Sequence, residues 1–157
     1  EAIEQTELLI KDYPNSSILM NLQGNAYADL GQTIDAIKFF KKSIELNESY
    51  ADPHYNLGHI YQSDNKYDEA IPLATELASA DQFSSNSRAA AFSMLAFINL
   101  KQGNKKKADQ FIEKLQNLDL KKLQMSPLEI VMSSLYNIED DSFKEEFKKT
   151  LNGLGLI

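Results

Sequence analysis

Residues 51–70 read ADPHYNLGHIYQSDNKYDEA, and this stretch decides the fold. It predicts two helices joined by a tight turn at Asp64 and Asn65. Similar residues recur 34 positions earlier, in three matched pairs: Gly24 and Gly58, Tyr27 and Tyr61, Ala36 and Ala70. Self-similarity at a fixed period is the sequence signature of a repeat architecture. We therefore expect an array of helix pairs.

Working outward from this stretch, apolar periodicity and helix-stop residues predict nine helices and no strand. Their ranges are 1–12, 17–30, 33–46, 51–63, 67–79, 88–101, 105–117, 127–137 and about 140–151. A longer polar loop is expected at 81–88. Gly24 lies inside a helix, where glycine costs about 1 kcal/mol relative to alanine, so it predicts a closely approaching neighbour. Pro72 is expected to kink or loosen the fifth helix.

The two helix pairs at 21–47 and 55–71 resemble the tetratricopeptide repeat (TPR), with NLQGNAYADLGQTIDAIKFFKKSIELN and YNLGHIYQSDNKYDEAI in register. This family repeats a helix–turn–helix unit every 34 residues. The resemblance implies an all-α, right-handed superhelical solenoid of antiparallel helix pairs spanning 1–157 as a single domain. Its parts would be the second helix of a truncated repeat at 1–16, repeats at 17–50, 51–84 and 89–122, and a degenerate capping pair at 123–157. Gln23 departs from the pattern, because the family prefers leucine at that position.

Charge is unevenly distributed along the chain, whose formal net charge is −7. Residues 1–84 carry 5 Lys/Arg against 14 Asp/Glu, whereas residues 85–157 carry 11 against 9. Because phosphate neutralisation needs a basic face, no nucleic-acid partner is expected. The lysine run at 105–107 is interpreted as a solvated edge, with contact to an anionic partner as the alternative.

Composition limits the chemistry that the chain can carry out but does not fix its compartment. The chain has no cysteine, which removes disulfides and thiolate chemistry. No apolar run reaches the roughly 20 residues of a membrane span, so no membrane insertion is expected. We expect a soluble domain, with the cytoplasm slightly favoured over the periplasm. The chain opens at Glu1 inside a helical pattern, which suggests a piece of a longer protein or a processed form.

The resemblance implies that the first helix of each pair lines a concave groove. Polar and aromatic residues on these helices suit a peptide, because side-chain amides can both donate to and accept from an extended backbone. The expected partner-binding residues are Asn21, Asn25, Tyr55, Asn56, His59, Gln62, Met94 and Phe97. The alternative is that these helix faces are simply solvated, with Met94, Phe97 and Leu100 covered by the last two helices.

The favoured function is a non-enzymatic scaffold that binds a peptide or a partner protein in this groove. One branch of the family clamps the C-terminal carboxylate of chaperones, and Asn25 and Asn56 match its asparagines. Its cationic positions hold Asn21, Ala90 and Met94 here, so carboxylate binding is disfavoured. The alternative function is the N-terminal recognition module of a longer enzyme such as a glycosyl- or sulfotransferase. Self-association through a terminal helix stays open.

Catalysis finds little support in the sequence. The two histidines, His54 and His59, are five residues apart, so they cannot chelate one metal from one helix face. His54 is expected in the core. There is no glycine-rich phosphate loop and no convincing pair of nucleophile and base. We therefore expect no enzymatic activity, no cofactor and no metal.

Overall fold

A computed structural model describes residues 2–118, together with the separate positions 145, 148, 149 and 152. Seven of the nine predicted helices fall within this part of the chain, and all seven form. They are α1 (Ala2–Asp12), α2 (Ser17–Asp29), α3 (Thr33–Leu46), α4 (Ala51–Ser63), α5 (Tyr67–Ser79), α6 (Ser85–Lys101) and α7 (Lys105–Gln116). No strand occurs in these ranges. The predicted helices at 127–137 and 140–151 lie outside the described residues.

The same turn closes α2, α4 and α6. Each turn contains a residue with positive φ: Gly31 at 71°, Asn65 at 58° and Gly103 at 75°. The next residue then donates its backbone N–H to a carbonyl five positions earlier, for example from Lys66 to Tyr61 at 2.8 Å. This is the hydrogen bond of a Schellman motif, which satisfies carbonyls at a helix end. The repeat is therefore visible in the backbone as well as in the sequence.

The start of α6 differs from the prediction. The helix begins at Ser85 rather than at 88, so part of the expected loop is helical. Ser84 is the reason, because its hydroxyl accepts the backbone N–H of Ser87 at 3.2 Å and so caps the first turn. The polar composition of this run predicts a loop, although serine also favours the N-cap position of a helix.

The chain divides into two compact units, Glu1–Leu73 and Ala74–Ile157. In the first unit, α1 packs on α2, α2 on α3 and α3 on α4. The core contains Ala36, Phe40 and Leu57. A Cβ placed on Gly24 would lie 2.6 Å from Cε1 of Phe40, which confirms the close approach predicted from this mid-helix glycine.

Helix α5 continues through Pro72 to Ser79, so the proline does not end the helix. Pro72 is exposed. The division between the two units falls directly after Leu73, one residue beyond this proline.

In the second unit, α6 packs on α7. Residues 91–99 of α6 are all buried, as expected for a helix that is covered on every side. Phe92 and Phe111 stack with ring centroids 6.5 Å apart, and Lys114 Nζ lies 5.4 Å from the centroid of the Phe111 ring.

Candidate functional site

Three asparagines from α2 and α4 form a connected group in the first unit. Asn21 and Asn25 are four residues apart on α2, so they share one helix face, and Asn56 approaches them from α4. Asn56 Nδ2 donates to Asn21 Oδ1 at 3.1 Å and to Asn25 Oδ1 at 3.0 Å. Both N–H groups of Asn56 are thereby used. The pairing holds α4 against α2 at this point.

The group continues into the segment before α4. Asn21 Nδ2 donates to the hydroxyl of Tyr50 at 3.1 Å, and that hydroxyl donates to Asp52 Oδ2 at 3.0 Å. The pKa of Tyr50 is raised, first by burial and then by the negative charge and the hydrogen bond of Asp52. Hydrogen bonds therefore run in one direction from Asn56 to Asp52. We call Asn21, Asn25, Tyr50, Asp52 and Asn56 the amide network.

The network leaves two amide groups available. Within the part of the chain that the structure describes, neither Asn25 Nδ2 nor Asn56 Oδ1 has a hydrogen-bond partner. Asn25 and Asn56 are both half-buried. The site therefore presents a fixed N–H donor from α2 and a fixed carbonyl acceptor from α4.

Tyr55 and His59 lie next to each other on α4, with ring centroids 6.1 Å apart. Both are half-buried. Burial lowers the pKa of His59, so its ring is neutral at pH 7. His54 lies in the core, as predicted, with Nδ1 2.9 Å from the carbonyl oxygen of Tyr50. His54 therefore supports the start of α4 from inside.

An exposed apolar strip accompanies the network on α2. Ile18 is 59% exposed and Leu22 is 45% exposed. Ile18 lies three residues before Asn21, and Leu22 lies three residues before Asn25. Each apolar side chain is therefore a neighbour of one asparagine on the surface of α2. Isolated exposed apolar residues are common, but here they flank oriented polar groups, as in ligand-binding surfaces.

Four of the residues predicted to bind a partner are buried. Asn21 is 3% exposed and Gln62 is 6% exposed, and the amide of Asn21 is already bonded on both sides. Asn21 therefore positions the network from beneath. Met94 and Phe97 are 2% and 5% exposed, so they lie in the interior of the second unit. The partner contacts assigned to these four residues stay predictions.

Tyr50 was missed by the sequence analysis. It precedes α4 in a linker, and only its hydroxyl takes part in the network. An aromatic residue directly before a helix is normally assigned to packing. The sequence contained one weak indication of this role for Tyr50. Asp52 follows two residues later, close enough for its carboxylate to accept the Tyr50 hydroxyl.

The electrostatics of this face are acidic. Neither α2 nor α4 contains a Lys or Arg, whereas each carries an exposed aspartate, Asp29 and Asp52. Charge-assisted donors for a carboxylate are therefore absent from these two helices.

Over the described residues there is no group of three or more His, Asp or Glu side chains that could hold a metal ion. In the same part of the chain, no helix combines the length and the apolar character needed to cross a bilayer.

Comparison with known proteins agrees with this architecture. Three family models match: a TPR repeat at residues 24–65, and tetratricopeptide repeats at 54–86 and 89–122. No curated protein matches the sequence. The crystal structure of MamA matches with a TM-score of 0.65 and 23% identity, over 73% of this chain. The match spans 64% of the MamA chain, and at this identity it shows the fold alone.

Proposed function

Because the chain belongs to the tetratricopeptide repeat family, whose members are protein-interaction scaffolds, we propose that the α2/α4 face of its first unit binds a peptide segment. The observation that carries this proposal is the orientation of the amide network. Asn25 offers N–H groups and Asn56 offers a carbonyl oxygen, and neither is used inside the described part of the chain. An extended peptide needs one acceptor and one donor of this kind at each peptide group.

The surrounding side chains favour an internal segment over a chain terminus. A terminal carboxylate would meet Asp29 and Asp52 and find no cation on α2 or α4. Ile18 and Leu22 would accept an apolar side chain, and Tyr55 adds a flat ring with a hydroxyl group. The partner is therefore an extended, non-terminal segment that carries at least one apolar residue.

The function needs no catalytic group from this chain. The family and the fold are typical of non-catalytic scaffolds. In the amide network the Tyr50 hydroxyl donates to the Asp52 carboxylate, but burial and Asp52 raise the pKa of Tyr50, so this pair does not favour a phenolate nucleophile. His59, the titratable side chain nearest to the aromatic part of the site, is buried enough to lower its pKa. It would act as a neutral hydrogen-bonding group toward the peptide.

The proposal can be tested by selecting peptides from a random displayed library on the wild-type chain. Each selected peptide is then titrated against Asn25→Asp and against Asn56→Ala. Asn25→Asp keeps the oxygen that accepts from Asn56 but replaces the free donor with an acceptor. A matched control is Asp35→Asn, an exposed carboxyl-to-amide change on α3.

We expect a class of peptides whose affinity falls roughly tenfold or more with Asn25→Asp, which corresponds to about 1.4 kcal/mol of binding free energy. The affinity of the same peptides should be unchanged in the control. Circular dichroism should show the same helicity and the same melting temperature within the series. If every selected peptide binds Asn25→Asp as tightly as the wild type, the α2/α4 face is not the binding site.

A further inference from the structure

The outward side of α3 carries a second surface that is separate from the amide network. A pocket of about 470 Å³ opens here, and its described lining belongs to this one helix. Its lining contains three apolar residues (Ile34, Ile37 and Phe39), three lysines (Lys38, Lys41 and Lys42) and one carboxylate, that of Glu45. We call these seven residues the α3 surface. The opposite side of α3 packs into the core through Ala36 and Phe40, so the two sides have different roles.

The apolar part of this surface is unusually exposed. Ile34 has 85% of its surface exposed, and Leu30, which caps the C-terminal end of α2 before the turn into α3, is 64% exposed. Ile37 is half-buried against the core cluster, so it forms a floor rather than a free side chain. An exposed isoleucine beside a pocket is the kind of apolar feature that marks an interaction site, since covering it on binding is favourable.

The charge of the surface contrasts with the charge around it. Three of the five Lys/Arg in residues 1–84 lie on this one helix, against 14 Asp/Glu in the same range. Lys42 is paired with Glu45 at 3.0 Å. Lys38 and Lys41 are exposed, and neither makes an ion pair in the part of the chain that the structure describes. Two unpaired lysines therefore lie together in an otherwise acidic region.

We propose that the α3 surface docks an acidic segment of a partner protein, in which an apolar residue is flanked by carboxylates. The apolar side chain would enter the pocket between Ile34 and Ile37. The flanking carboxylates would meet Lys38 and Lys41, which are spaced three residues apart and lie on one helix face. Charge complementarity of this kind fixes orientation and speeds association.

A partner protein fits these observations better than a lipid surface or a nucleic acid. The surface combines apolar side chains with lysines and one carboxylate around a pocket, whereas a bilayer requires a continuous apolar strip that can lie flat. Only three lysines are present, and the surrounding carboxylates would repel a dense array of phosphates. An acidic segment of a partner protein matches both features of the surface. Its apolar side chain would pack on the isoleucines, and its few carboxylates would pair with the lysines.

The experiment uses the same displayed library, with selection on the full chain, followed by titration of the enriched peptides. The test variants are Lys38→Glu with Lys41→Glu, and separately Ile34→Ser. All three side chains are exposed, so the fold is expected to survive. The matched control is Lys11→Glu with Lys66→Glu, which changes the net charge equally at two exposed sites of the same unit.

We expect acidic peptides with a central apolar residue whose affinity falls roughly tenfold or more in both test variants. Their binding should weaken as salt is added and should be unchanged in the control and in Asn25→Asp. The last result separates this surface from the α2/α4 face.

Three results would each overturn the proposal. One is that selection yields no acid-flanked apolar peptides. Another is that such peptides bind the charge-reversed variant as tightly as the wild type. The third is that the wild-type chain binds vesicles containing phosphatidylserine, or single-stranded DNA, through Lys38 and Lys41 while ignoring the peptides.

Discussion

Asn56 on α4 donates its side-chain N–H to the side-chain oxygen of Asn25 on α2 at 3.0 Å, and this bond fixes which end of each amide faces outward. Without it, either amide could rotate and present a donor or an acceptor. Because Asn56 also donates to the buried Asn21, the orientation is anchored in the interior of the first unit. The donor and the acceptor that the site presents outward are thus determined by a hydrogen bond inside the first unit.

Removing the donor of this hydrogen bond, Asn56, should cost more stability than removing its acceptor, Asn25. Asn56→Ala removes the donor to Asn21 and leaves a buried oxygen unbonded, at a cost of about 1–3 kcal/mol. Asn25→Ala leaves only a half-buried N–H group of Asn56, which water can reach, so it should cost less. Urea unfolding of both variants measures the difference. Equal losses would show that the bond to Asn21 does not anchor the network.

Gly24→Ala should destabilise the first unit although alanine is the better helix former. Alanine gains about 1 kcal/mol over glycine in an exposed helix. At this position its Cβ would lie 2.6 Å from a ring atom of Phe40, which is 1% exposed and cannot move aside. Overpacking of this kind costs about 1–3 kcal/mol, so the net effect should be a lower melting temperature.

A double-mutant cycle isolates the cause. In a Phe40→Leu background the ring is gone, and Gly24→Ala should become neutral or stabilising. Ala28→Gly, at an exposed position in the last turn of the same helix, serves as the control and should lose at most about 1 kcal/mol, from propensity alone. A Gly24→Ala variant that melts above the wild type would contradict the packing described for α2 and α3.

Tyr50 makes the stability dependent on alkaline pH. Its folded-state pKa is raised above 10.0, mainly because burial and the neighbouring Asp52 disfavour the phenolate. The protonated hydroxyl therefore contributes stability that is fully present below pH 10 and is lost as the pH rises through the raised pKa. Tyr50→Phe should remove this dependence and should also cost about 1–3 kcal/mol at neutral pH, because Asn21 loses its acceptor.

A phenolate absorbance titration checks the pKa directly. The difference between wild type and Tyr50→Phe should contain one tyrosine that ionises above pH 10. If that difference titrates at or below pH 10, the hydrogen bond to Asp52 and the burial of the hydroxyl are not as described. Tyr67 also has a raised pKa through burial, and it serves as an internal reference because it is present in both proteins.

His59 makes the free energy of unfolding depend on pH in the acid range, with the opposite sign to Tyr50. Burial lowers its folded-state pKa below 6.5, which favours the neutral ring. Its contribution to stability is therefore present above pH 6.5 and is lost as the pH falls through the lowered pKa. The free energy of unfolding should decrease over this range, and His59→Gln should decrease less. A proton NMR titration that places the pKa of His59 above 6.5 would contradict this.

The fold was accessible from the sequence because its determinants are local and periodic. Ala36 and Ala70 occupy fully buried positions, as the 34-residue period requires, and Gly24 marks the closest approach. Two of the turns could also be predicted, because Gly31 and Gly103 readily adopt the positive φ that ends a helix. The start of α6 was missed because serine favours both a loop and an N-cap, and only the bond from Ser87 to Ser84 decides between them.

The candidate site was predictable only in part. The helix period placed Asn21 and Asn25 on one face, but it could not show that Asn21 lies beneath the surface. Burial there depends on Tyr50 and Asn56, which are 29 and 35 residues away along the chain. For α6 the sequence does not distinguish a groove from a core, because residues 91–99 are all buried and no amphipathic period separates the faces of the helix.

The most direct test of the central claim is the affinity of Asn25→Asp for a peptide selected on the wild-type chain, measured by fluorescence anisotropy beside a thermal unfolding curve. The aspartate still accepts the N–H of Asn56, now as a charge-assisted bond, so the fold is kept while the outward donor is lost. We predict an unchanged melting temperature and an affinity roughly tenfold weaker or more. An unchanged affinity, for every peptide that the wild type selects, would contradict the account.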